Sequence, residues 1–195
     1  MPTCPSPARW SDLKKKLADL DRPALIALIK DLHDASKTNQ AFLAARLASP
    51  LETAGALDSY RDRIVQAFYP RRGMSSQMPK LAVGRAVLRE YKRARPEDRN
   101  GLADLMLTYV ETGTRFSNEF GGIDEPFYNS LISVLNDLTN LLAEPVGQSA
   151  YWDLEFRLAS LLRETRSIGW GYGDEVADLV HSLQQIWSAA EDDAE

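Results

Sequence analysis

From Leu102 to Leu131 the chain reads L-A-D-L-M-L-T-Y-V-E-T-G-T-R-F-S-N-E-F-G-G-I-D-E-P-F-Y-N-S-L. Its first nine residues are apolar over most of a helical circumference, the pattern of a central, well-buried helix rather than one with a single apolar stripe. A Gly-Gly corner at Gly121 and Gly122 breaks that helix, and Asp124-Glu125-Pro126 starts another. Aspartate is a good N-cap, and proline is tolerated in a first turn. One buried helix running at once into the next implies helices packed on helices, which sets the fold class as all-α.

The same period extends in both directions, and no run of strand alternation interrupts it. Ser11 can cap a first helix carrying Leu13, Leu17 and Leu20. Asp21-Arg22-Pro23 restarts the chain, and the next helix is expected to bury Leu25, Leu28, Ile29 and Leu32. Further helices are expected over 41–47, 52–69, 79–94, 96–116, 125–143, 149–166 and 174–190. The Gly/Ser/Met-rich Arg71–Met78 stretch reads as the longest loop. L-x-x-L spacing at Leu131–Leu142, Leu158–Leu162 and Leu179–Leu183 is ordinary core packing, with no fixed period of a named solenoid. Short connections make successive helices antiparallel neighbours, so about eight or nine helices are expected as antiparallel pairs, in a bundle or a short helical-repeat-like stack. A single domain over 11–190 is expected between a flexible tail at 1–10 and a frayed acidic tail at 191–195.

The 195 residues are 44% hydrophobic and 26% charged, enough to build a core and ordinary for a soluble domain. The net charge of −5 argues against a dedicated binder of nucleic acid or anionic membrane. No apolar run approaches the roughly 20 residues that span a bilayer. The first ten residues have no apolar export core, so the expected location is cytoplasmic. The lone Cys4 has no partner for an internal disulfide and reads as an incidental thiol.

Conventional catalytic and metal signatures are missing, and neither a metal site nor a cofactor is expected. His33 and His181 stand apart, each at the edge of an apolar stripe and without a second soft ligand nearby. The run Gly169-Trp170-Gly171-Tyr172-Gly173 precedes Asp174, which can cap the last helix. No strand precedes that run, and Asp174 and Glu175 would occupy the helix end a phosphate needs. It reads as a turn whose Trp170 and Tyr172 anchor in neighbouring helices. Glu111 enters an apolar helix and needs a partner, for which Arg115 is in place at i,i+4. Gly113 can let another helix approach closely. A candidate pocket nonetheless combines Glu111, Asp124, Tyr128, Trp170 and Asp174, if the 109–128 corner meets the 167–174 loop.

Charge is strongly divided. Residues 60–100 hold 11 Lys/Arg against 4 Asp/Glu, a net of +7, whereas 101–195 hold 4 against 17, a net of −13. Arg85, Arg89, Lys92 and Arg93 share one helix face as a candidate basic stripe. Val83, Val87, Tyr91 and Ala94 form another face, which points the stripe outward.

Four stretches, L-I-A-L-I-K-D-L-H-D-A-S-K (Leu25–Lys37), Y-R-D-R-I-V-Q-A-F-Y-P (Tyr60–Pro70), the Tyr109–Leu131 segment and S-I-G-W-G-Y-G-D (Ser167–Asp174), resemble an uncharacterised bacterial all-helical family, a domain of unknown function. The resemblance covers most of the chain, implies an all-helical fold and brings no activity with it. Gly122 stands where the family pattern often has an acidic residue, and Gly173 where it often has a histidine. Site chemistry built on those groups is therefore not implied. The expected function is a non-enzymatic interaction or scaffold protein with a protein partner or a second copy of itself. An enzyme or small-ligand site at the corner and nucleic-acid contact through the stripe are the alternatives, with no membrane role.

Overall fold

The structure, a computed structural model, describes residues 9–49, 51–70, 78–121 and 123–192. Residues 1–8 of the expected tail, Cys4 among them, residues 71–77 of the loop expected over 71–78, Gly122 and the last three residues of the acidic tail lie outside the described residues. Trp10, expected in the tail, opens the first helix. Among the described residues there are nine α-helices and no strand. They are α1 (Trp10–Ala18), α2 (Arg22–Ala35), α3 (Lys37–Leu47), α4 (Thr53–Phe68), α5 (Leu81–Ala94), α6 (Arg99–Phe120), α7 (Glu125–Ala143), α8 (Gln148–Thr165) and α9 (Tyr172–Asp192). Among these residues no helix is long and apolar enough to cross a membrane.

Local chemistry explains the helix starts. The Asp21 side chain accepts a hydrogen bond from Ala24 N at 2.9 Å, and Asp124 accepts one from Phe127 N at 3.2 Å, each just ahead of a proline in the first turn. Several starts differ from the expected ones. α1 begins at Trp10, which puts the expected cap Ser11 inside the helix. α3 begins at Lys37 rather than 41, where the Ser36 Oγ accepts from Asn39 N at 3.1 Å. α6 begins at Arg99 rather than 96, because Asp98 caps it, accepting from Gly101 N at 2.8 Å. α9 begins at Tyr172, two residues early, so Asp174 lies inside its first turn instead of capping it.

The helices group into two compact units that divide between Leu43 and Ala44. In the first, α1 and α2 bury no residue. Leu28, Ile29 and Leu32 are exposed and Leu25 is half-buried, contrary to the expected buried face. So few helices meet on too little surface to enclose a side chain.

The second unit holds the core. Successive helices pack together from α4 through α9, and so do α4 with α6, α6 with α8, and α7 with α9. Its helices therefore form a layered stack, α4–α6–α8 facing α5–α7–α9. Successive helices are antiparallel, as Tyr60–Glu90 and Lys80–Ala67 show for α4 and α5. Within a layer they are parallel, as Asn100–Ser149 and Asn118–Glu164 show for α6 and α8.

α6 is the axis of the stack, touching α4, α5, α7 and α8. From Gly101 to Val110 every residue but Met106 is buried, as the apolar run predicts. Gly113 sits where α6 meets Leu131 of α7 and Phe68 of α4. A Cβ there would lie 2.8 Å from Leu131 Cδ1 and 3.1 Å from Phe68 Cε1. Leu131 and Phe68 are fully buried and have nowhere to retreat. Gly113→Val is expected to lower stability by roughly 1–3 kcal/mol through overpacking, read as a reduced urea midpoint. An unchanged midpoint would show that the helices can part at no cost.

Candidate functional site

The corner and the 167–174 loop do meet, at a packed contact. The Tyr172 hydroxyl lies 2.7 Å from Thr114 Oγ1, and its ring lies 5.3 Å from that of Tyr128. The Tyr128 hydroxyl lies 2.7 Å from Ser117 Oγ, and all four residues are buried. Of the five candidate pocket residues, only Tyr128 joins this contact. Asp124 is an exposed cap and Asp174 is exposed on α9. Trp170 is 66% exposed rather than anchored, and it adopts a φ of 61°, the left-handed region that bulky residues seldom enter.

Glu111 has a partner, but not Arg115. Arg157 of α8 donates Nε to Glu111 Oε1 at 3.0 Å and Nη2 to Oε2 at 2.6 Å. The same guanidinium donates Nη1 to Asp104 Oδ1 at 2.6 Å, and Arg61 of α4 donates Nε to the other Asp104 oxygen at 2.7 Å. A chain Arg61–Asp104–Arg157–Glu111 therefore crosses α4, α6 and α8. Burial alone would lower the Arg157 pKa, but the adjoining Glu111 and Asp104 carboxylates outweigh it and raise the pKa. The hydrogen bond to Asp104 likewise raises that of Arg61. A cavity of about 420 Å³ lies beside this chain, lined among others by Leu57, Asn100, Asp153 and Leu154. A second cluster joins α4 to α5. Arg63 grips buried Glu90 with two bonds of 2.7 Å, and the Tyr60 hydroxyl donates to the same carboxylate at 3.0 Å.

Sequence reasoning passed over Arg61, Glu90, Asp104 and Arg157. The available signal was a charge inside an apolar face, as with Asp104 beside Leu105, and Arg157 among Leu154, Leu158 and Leu161. His33 pairs with Asp34 at 2.8 Å on an exposed surface, and His181 is exposed. Among the described residues no group of three or more His, Cys, Asp or Glu could hold a metal ion.

The basic stripe has a different setting. Val87, Tyr91 and Ala94 are buried, while Val83 is 49% exposed, so the inward face is one turn shorter than expected. The stripe itself lies along an opening. In the stack α7 packs on α9, but α5 and α7 do not close on each other in the same way. Arg85 bridges them, donating Nη2 to Ser133 Oγ at 3.2 Å. Beyond that bridge two cavities, about 230 and 340 Å³, share Lys92, Leu102, Met106 and Asp137 and so form one groove. Leu88, Leu102, Met106, Val134 and Leu141 supply apolar lining. Arg85, Arg89 and Lys92 line the α5 wall, Asp137 and Asn140 the α7 wall, and the Arg99–Glu144 ion pair stands at the far end. Arg93 is exposed outside the groove. Among the described residues Arg89, Lys92 and Arg93 make no ion pair or hydrogen bond.

No protein-family model, curated protein or solved structure matches this chain.

Two outcomes follow from the buried groups. Arg157→Leu leaves Glu111 without its partner and Asp104 with one of two, and is expected to cost about 3 kcal/mol in chemical denaturation. Adding Glu111→Leu should recover part of that loss, whereas strictly additive costs would mean the pair is not coupled. The second outcome concerns alkaline pH. Tyr60, Tyr91 and Tyr172 are fully buried, and burial, reinforced by Glu90 at Tyr60 and by Asp98 at Tyr91, raises each phenol pKa. Unfolded tyrosine loses its proton near pH 10, so above that pH the folded state binds more protons and stability falls as pH rises. The phenolate absorbance of these residues should appear together with loss of helical circular dichroism. Complete ionisation with the helices intact would refute it.

Proposed function

We propose that this chain is a non-enzymatic interaction protein, a helical scaffold that holds a protein partner in the groove between α5 and α7. One observation carries the reading. The charges inside the second unit neutralise one another, while unpaired cations line an apolar groove that side chains of another molecule can enter. Arg61, Arg63 and Arg157 stay charged near neutral pH and occupy Asp104, Glu90 and Glu111 as structural pairs. Apolar lining with a charged rim is the composition of a recognition surface. The reading includes a cytoplasmic setting, in keeping with a single cysteine among 195 residues.

The test compares the wild-type chain with Arg89→Glu/Lys92→Glu in pull-downs at increasing salt. Both side chains are exposed and unpaired, so the variant should keep its helical spectrum and melting temperature. A protein, or a second copy of the chain, should be retained at low salt, weaken as salt screens the stripe, and be lost in the variant. If nothing is retained that the variant loses, the groove is not an interaction site.

A further inference from the structure

We infer that the occupant of the groove is one amphipathic helix of a partner protein, with an apolar ridge, carboxylates along one flank and a Lys or Arg on the other. The inference deepens the reading of the groove as an interaction site and rests on it. It follows from three features of the walls and floor.

The first is the backbone. Both walls and the floor are helices, whose N–H and C=O groups bond internally, so the groove offers no sheet edge to an extended peptide. An extended segment lying there would leave its own backbone groups unmatched, whereas a helix satisfies them itself. From Ser133 to Glu144 the α7 wall runs about 16 Å, or three turns, which suits anchors at i, i+4 and i+7. Met106 is the only residue between Gly101 and Val110 that is not buried, and it faces this groove. Methionine adapts its shape to an incoming side chain, as a floor for such anchors should.

The second is charge. Arg85, Arg89 and Lys92 rise along the α5 wall at intervals of about one turn, roughly 5 Å. A helix lying parallel to α5 presents carboxylates at the same interval, so the two rows match rung for rung. Asp137 on the α7 wall asks for a cation on the other flank.

The third separates this occupant from nucleic acid. A phosphate chain would meet Asp137 across from the cations, and among the described residues no aromatic side chain lines the groove to stack a base. A second copy of the chain docking here would make a head-to-tail contact, which propagates into rings or open chains.

The probe is a fluorescein-labelled synthetic helix of about 15 residues, with leucines at i, i+4 and i+7, glutamates on one flank and one lysine on the other. Its counterparts are the same peptide with the charges exchanged and a labelled single-stranded oligonucleotide. In fluorescence anisotropy the acidic peptide is expected to bind at least ~10-fold more tightly than the exchanged one. Arg89→Glu/Lys92→Glu should invert that order, and Met106→Lys should weaken both peptides, with melting curves confirming that each variant is folded. Equal binding of the two peptides, tighter binding of the oligonucleotide, or low-salt oligomers that the double variant abolishes would each overturn the acidic helix as occupant. If pull-downs still retain a protein that the double variant loses, the interaction reading stands and only the partner chemistry falls. If that retention is also absent, both fall together.

Discussion

Asp104 is a carboxylate in the most enclosed helix of the molecule, and the second unit is organised around keeping it neutralised. It is 88% buried at its side chain by the stack, whose middle helix touches four others. A carboxylate in that position is costly unless paired, and Arg61 and Arg157 reach it from α4 and α8, one to each oxygen. Both arginines then spend remaining donors on Asp58 or on Glu111 and Thr108. Such a network has defined geometry: sliding α4 or α8 by one turn would move a guanidinium about 5 Å and strand the charge. The network therefore sets the register of the α4–α6–α8 layer. Breaking it costs a few kcal/mol, a large share of the 5–15 kcal/mol that holds a typical domain folded.

The facing layer is under no equivalent constraint between α5 and α7. α5 is pinned instead to α4, by Glu90 with Arg63 and Tyr60, and to the start of α6, by Tyr91 donating to Asp98 at 2.7 Å. α7 is pinned to α6 and α9 by Leu131, Leu135, Leu138 and Leu142, all fully buried, and by Trp187 Nε1 donating to Leu142 O at 3.2 Å. With each helix committed elsewhere, Arg85 reaches across the space between them at one end, and at the other the Arg99–Glu144 pair ties the start of α6 to the end of α7. The groove is thus a product of where the strong contacts lie.

How much of this was legible beforehand follows the range of each interaction. Asp21, Pro23, Asp124 and Pro126 act within one turn, and the sequence places their helices correctly. The all-round apolar run of α6 identified the central helix, because burial on every side leaves a pattern in one segment. Glu111 shows where that legibility ends. Its i,i+4 neighbour Arg115 was the local choice, yet Arg115 is exposed and Arg157, 46 residues away, takes the carboxylate with two bonds. Such a pairing exists only once α6 and α8 lie parallel, and no local spacing reports it. The candidate pocket failed to assemble for a related reason: Asp124 and Asp174 were noticed for their type, but helix geometry turns both to solvent. The stripe was legible as a stripe. That it borders a groove depends on α7, about 45 residues further on, stopping short of α5.

Charge division takes on a different meaning once the pairs are known. Read by segment, residues 60–100 are basic and residues 101–195 acidic, which invites a picture of two stretches attracting each other. Part of that attraction is already satisfied inside the second unit, through Arg61–Asp104 and Arg99–Glu144, while Arg63–Glu90 and Arg157 with its two acids pair within their own segments. Among the described residues of the basic segment, Arg89, Lys92 and Arg93 are left unpaired together on one helix. Exposed cations alone are only a solvated face, worth little in any specific contact. Beside apolar lining Arg89 and Lys92 gain leverage, because a ligand that fills the groove displaces water from the rim and strengthens each charge pair it makes. Apolar burial supplies the affinity and the charges choose the partner. Sequence composition alone shows neither of these roles, because both depend on the gap between α5 and α7.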